Sequence, residues 1–173
     1  MHDVDVGPSW LALLVAGIIN SLYGAIYFLW TLIPLVIGGL VAFQSIKRAL
    51  DGGGDPMGMV FTLFTILTPF IQVIAYAVIV FMGLITIFAA FRLRATSSKG
   101  IVMLGILAAF GAPVLGFIFT SLSLCNFGSS GCCLFGFLAG NIGTIPAFVA
   151  SMIGGGWALA IIRDSTVSAA FDE

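Results

Sequence analysis

The sequence predicts an all-α integral membrane protein with four transmembrane helices, each carrying an interior proline. Three observations predict it. First, every ionisable side chain falls in one of four short clusters: His2–Asp5, Lys47–Asp55, Arg92–Lys99 and Arg163–Glu173. Second, the runs between those clusters hold 41, 36 and 63 uncharged residues, and helices without a charged face suit hydrocarbon rather than water. Third, only 8% of the chain is charged and 61% is hydrophobic, against about 25% charged in a soluble domain. Mean hydropathy is +1.23. The 173 residues make one membrane domain, 1–173, without room for a second folded unit. Met1–Trp10 has no Lys or Arg, so the first apolar run is expected to be a mature span and not a signal peptide.

A crossing needs about 20 helical residues for roughly 30 Å of hydrocarbon. The first span is placed at about 10–46. Its apolar core, Trp10–Phe43, is 34 residues long, more than one crossing and less than two. Trp10 and Trp30 stand 20 residues apart, about 30 Å of helix, the spacing of two interfacial belts. Leu32–Phe43 then extends past Pro34. The alternative crossing runs from Tyr23 to Ser45, with Pro8–Asn20 lying along the interface.

The second span covers 57–91. The longest uncharged run must break once, and CNFGSSG at Cys125–Gly131 is its polar, Gly-rich punctuation. This gives a third span at 100–124 and a fourth at 132–162, followed by a short cytoplasmic tail, 163–173. The prolines are Pro34, Pro69, Pro113 and Pro146. Each removes a helix hydrogen bond, and nearby Thr65, Thr68 and Thr144 can satisfy freed carbonyls.

Basic residues near span ends favour the cytoplasm. Arg92, Arg94, Lys99 and Arg163 outnumber Lys47 and Arg48, so both termini are expected inside and the cysteine loop outside. Trp10, Trp30 and Trp157 are the expected interface anchors.

Several function classes find no support. Six basic residues against seven acidic ones make no basic stripe for nucleic acid. The single histidine, His2, lies near the N-terminus, and no span holds a carboxylate, Lys, Arg or His. Internal acid–base catalysis and ion relay therefore lack residues, and no enzyme activity, metal or cofactor is expected. Gly52–Gly54 is followed by Asp55 and Pro56, not by the Lys-Ser/Thr of a phosphate loop, and reads as a turn.

Neutral polar residues remain. Asn20, Gln72 and Asn141 suit hydrogen bonds between helices or the lining of a path for a neutral solute. Cys125 with Cys132 or Cys133 suits a small disulfide loop on an oxidising side. The alternatives are small buried thiols at a tight junction and a zinc site with only three of four ligands. Gly105, Gly111, Gly136, Gly140 and Gly155 suit close helix packing, Gly136 and Gly140 forming a GxxxG pair. In the tail, Asp164 or Ser165 can cap a short helix whose Val167 and Phe171 pack on the bundle end or on a partner.

In the C-terminal half, FRLRATSSKGIVMLGILAA from Phe91, CCLFG at 132–136, GGWALAIIRD at 155–164 and VSAAF at 167–171 together resemble a group of small bacterial integral membrane proteins that have no assigned activity. The resemblance covers under half the chain. The chain departs from the group in a longer stretch between Cys133 and Trp157, and in Ser165 where proline is common. The resemblance implies a four-helix bacterial membrane protein and no activity. The expected function is that of a non-enzymatic accessory or structural subunit of the bacterial inner membrane. It would contact lipid and other membrane subunits or its own copies. The alternative is a channel or facilitator for a neutral solute or lipid.

Overall fold

The computed structural model describes residues 6–48, 56–125 and 141–171. Its elements are α1 (Ser9–Arg48), α2 (Pro56–Arg94), α3 (Lys99–Cys125), α4 (Thr144–Ile162) and the short α5 (Ser165–Ala170). The first four are long and apolar enough to cross a membrane, the all-α four-helix architecture expected from the sequence. They run up, down, up and down in a ring. Here α1 and α3 each pack on both α2 and α4, and α1 and α3 touch across the centre.

The helix ends follow local chemistry. Pro8 precedes α1, where its fixed φ suits the first turn, and its carbonyl accepts from the Ala12 N–H at 3.0 Å. Between α2 and α3 the backbone turns through Thr96 (φ 45°) and Ser98 (φ 58°), both left-handed. The Ser98 carbonyl then starts α3 by accepting from Ile101 and Val102. Pro34, Pro69 and Pro113 lie inside α1, α2 and α3. Pro146 is the third residue of α4, in the first turn, where a helix N–H has no intrahelical acceptor to lose.

The bundle packs in two layers. At the end that holds Ser9, Arg94, Lys99 and Ile162, the core contains Leu13, Leu93, Val102, Ile106, Ile162 and Val167. The second layer holds Tyr23, Tyr76, Ile79, Ala112 and Ala147. Leu13, Ala16 and Asn20 are fully buried, and Asn20 bonds to α3 and α4. The segment 8–20 is the first three turns of a bundle helix.

α1 and α2 are longer than their neighbours. At 40 and 39 residues each is about 60 Å long, whereas α3 has 27 residues. Thr120 on α3 sits at the level of Tyr23 and Tyr76, so α3 ends near the level of Trp30. Among the described residues, α1 and α2 alone continue beyond it, for roughly 25 Å, to Lys47 and Arg48.

Candidate functional site

The polar interior of the bundle is the candidate site, and Asn20 is its centre. Asn20 has no exposed surface. Its amide Nδ2 donates to Ser151 Oγ on α4 at 3.0 Å and to the Ala109 carbonyl on α3 at 3.3 Å. One side chain thus ties three helices together. Among the described residues its Oδ1 and the Ser21 hydroxyl have no hydrogen-bond partner.

One layer further along, all three tyrosines of the chain converge. Tyr76 and Tyr23 place their hydroxyls 2.9 and 3.4 Å from Thr120 Oγ1. Tyr27 stacks on Tyr76 with ring centroids 5.3 Å apart and tilts against Tyr23 at 4.7 Å. Rings this close leave no room for a guest between them. Thr86 performs the same service between α2 and α3, its hydroxyl donating to Met82 at 2.9 Å and to the Gly105 carbonyl at 3.1 Å. Gln72 and Asn141 are both buried.

Glycines set the helix separations. A Cβ at Gly105 would collide with Ala89 on α2, and one at Gly111 would meet Met82 Cε at 2.5 Å. At Gly155 it would meet the Phe110 ring at 3.0 Å. The α1–α2 seam is closer still. Cβ atoms at Gly17, Gly24 and Gly83 would lie 2.7–2.9 Å from backbone nitrogens of the facing helix. Two apolar grooves open outward. One of about 560 Å³ between α1 and α4 is lined by Leu11, Val15, Ile19, Val149, Ile153 and Trp157. The other, about 430 Å³, lies on the extended part of α1 and α2 beside Ile33, Pro34, Ile37, Gly38, Val41 and Thr62.

Arg92, Arg94, Lys99 and Arg163 gather at one end of the bundle. The Arg94 guanidinium lies 4.7 Å from the Trp10 ring centroid, and Arg92 lies 5.0 Å from that of Phe88. Lys99 Nζ donates to Ser168 Oγ at 2.6 Å, joining the start of α3 to α5. Asp164 caps α5 by accepting from the Thr166 hydroxyl at 2.6 Å and its backbone N–H at 3.0 Å. Those bonds, the hydroxyl's first, hold its carboxyl below the usual range. Val167 is buried and Phe171 packs on the same cluster, so the tail folds onto the bundle end. Trp30 is 72% exposed at the far end of the four-helix layer, and Trp157 faces outward.

Cys132, Cys133, Gly136 and Gly140 lie outside the described residues, as do His2 and the Gly52–Gly54 turn. Cys125 ends α3, and the expected disulfide falls outside the described residues. Among the described residues no group of His, Cys, Asp or Glu could hold a metal ion.

Sequence reasoning missed the tyrosine–threonine layer, Thr86, and the Gly17–Ser21–Gly24 stripe facing Gly83. The small residues at 17, 21 and 24 follow i, i+4, i+7 spacing and were a signal. Nothing in the sequence pairs Tyr76 with Thr120, 44 residues away. Searches against protein-family profiles, curated proteins and solved structures found no match.

Proposed function

We propose that this chain is a non-enzymatic subunit of a membrane protein complex, acting by packing against other membrane helices. The observation that carries the reading is the closed interior with an open apolar exterior. Asn20 joins helices instead of lining a passage, the tyrosine rings fill their layer, and both grooves face outward. Among the described residues, a body of this kind offers apolar surfaces for partners and lipid. Placement in a bacterial inner membrane, with Arg92, Arg94, Lys99 and Arg163 on the cytoplasmic side, is part of the proposal. It rests on the basic-residue bias and on the resemblance of the C-terminal half. Purification from native membranes in mild detergent tests it. Stoichiometric co-purifying membrane proteins or a stable oligomer are expected, and a lone monomer overturns the reading.

A facilitator for a neutral solute is the second reading. The observation in its favour is the buried Asn20 Oδ1 and Ser21 hydroxyl, which have hydrogen-bonding capacity left over. Substituting Asn20, Gln72 and Asn141 together by Leu would abolish flux through such a path. Unchanged flux of small neutral solutes into vesicles removes it.

A further inference from the structure

We propose that Asn20 takes the place of the backbone N–H that Pro113 lacks, and so fixes the two halves of α3 relative to each other. In a helix the N–H of residue 113 would donate to the carbonyl of residue 109. Pro113 lies inside α3 and has no N–H, so the Ala109 carbonyl loses its donor within the helix. That is the carbonyl to which Asn20 Nδ2 donates at 3.3 Å. Pro113 deprives one carbonyl, and the α1 amide meets that one.

α3 has no means of repairing the gap itself. A Ser or Thr near a proline can donate to the freed carbonyl, but α3 has no polar side chain between Lys99 and Thr120. Ala109 is fully buried, and a carbonyl left unmet there is costly. The donor must come from another helix. Asn suits the task better than Ser or Thr, because its amide carries two N–H groups. One serves Ala109 and the other serves Ser151 Oγ on α4 at 3.0 Å. The Thr86 hydroxyl, which donates to the Gly105 carbonyl, is different in kind. Gly105 keeps the helical N–H of Ala109 as its donor, so Thr86 adds a bond where Asn20 replaces one.

The packing on either side of Pro113 shows what the replaced bond joins. Before Pro113, α3 is fastened to α2: Thr86 holds the Gly105 carbonyl, and a Cβ at Gly105 would collide with Ala89. Beyond Pro113, α3 is fastened to the tyrosine layer. A Cβ at Gly116 would lie 2.6 Å from the Tyr23 hydroxyl, and Thr120 Oγ1 lies 2.9 Å from that of Tyr76. Each half thus has its own seat, and the turn that connects them is the one short of a backbone bond. Asn20 pins that turn to α1 and α4 at once.

Hydrogen exchange of the full chain in micelles, resolved by residue with NMR, tests this on the unsubstituted protein, Asn20→Leu, Pro113→Ala and the double variant. Leu has nearly the shape of Asn without its donors, and Pro113→Ala returns the missing N–H. The amides of 114–117 bond to carbonyls 110–113 and span the joint. Asn20→Leu should speed their exchange about threefold more than that of 103–108, the size of an average interhelical side-chain hydrogen bond read as an exchange ratio. In the Pro113→Ala background that excess should vanish. An equal change in both stretches, or the same excess in both backgrounds, gives Asn20 only a general packing role through Ser151 and overturns the proposal. Should Asn20→Leu fail to fold, a 13C label on the Ala109 carbonyl of the unsubstituted chain decides by infrared spectroscopy. Its band should coincide with that of Ala108, a carbonyl that keeps its helical donor. A band at the higher frequency of a free carbonyl overturns the proposal.

Discussion

Gly154, Gly155 and Gly156 are consecutive on α4, yet substituting each by Ala should give three different results. A Cβ at Gly154 would lie 2.5 Å from the Ala12 carbonyl oxygen and 2.9 Å from its carbon. Both atoms belong to the α1 backbone, so α1 and α4 must separate by about half an ångström or more. Overpacking of this kind costs about 1–3 kcal/mol, while Ala in place of a helical Gly returns about 0.5–1 kcal/mol. Gly154→Ala should therefore destabilise by roughly 1–2 kcal/mol. At Gly155 the new atom meets the edge of the Phe110 ring at 3.0 Å. A ring can give where a backbone cannot, so the two effects nearly cancel. At Gly156 nothing lies within 4 Å, leaving only the conformational gain, about 0.5–1 kcal/mol of stabilisation. Reversible unfolding in mixed micelles by increasing SDS, followed by far-ultraviolet circular dichroism, reads all three. If Gly154→Ala is neutral, or Gly156→Ala is as damaging as Gly154→Ala, then α1 and α4 do not make this contact.

Thr96 is β-branched and left-handed, a conformation that costs an L-residue about 1–2 kcal/mol. Thr96→Gly should stabilise the same transition by up to about 1 kcal/mol, because glycine also gains entropy in the unfolded chain. A double-mutant cycle on Asn20→Ala and Ser151→Ala should give a coupling of about 0.6 kcal/mol, and no more than about 1.7; zero coupling would remove the three-helix tie. Tyr76→Phe should destabilise more than Tyr23→Phe, since its hydroxyl is the nearer to Thr120 by 0.5 Å (3.4 against 2.9). Asp164 sets a pH dependence. Its folded carboxyl titrates below the ordinary value, so its contribution is present above the unfolded value and lost as pH falls through the folded one. The Thr166 amide, measured by hydrogen exchange corrected for intrinsic rate, should lose protection below that point, and Asp164→Ala should show the loss already at neutral pH.

Fold class was legible because hydrocarbon imposes a simple rule on sequence. Uncharged runs must be helical, since no water is present to satisfy an open backbone, and charges collect where helices end. Which residues face inward was far less legible. In a soluble helix apolar periodicity marks the core, but here Leu29, Phe81 and Leu107 face outward while Ala109 and Ala158 are fully buried. Hydropathy thus carries no phase. Residue size does, and the i, i+4, i+7 stripe of Gly17, Ser21 and Gly24 records the α1–α2 seam. Long-range hydrogen bonds were not legible at all. Asn20 could be flagged as a buried amide, but its partners Ala109 and Ser151 are set by the helix registers, which one sequence does not encode in any local pattern. The length of α1 had the opposite fate. Its excess was visible in the sequence, but two crossings fitted it. Burial of Leu13, Ala16 and Asn20 makes the start of α1 part of the bundle.

The same inversion explains where functional information can reside. Exposing a large aliphatic side chain to water forgoes about 1.5–3 kcal/mol, and this surface carries Leu22, Ile26, Leu29, Phe81, Leu84 and Leu107 more than half exposed. Hydrocarbon tolerates any of them, so most of the exterior is free to change among apolar residues. A surface that binds a partner must then be recognised by features lipid does not require.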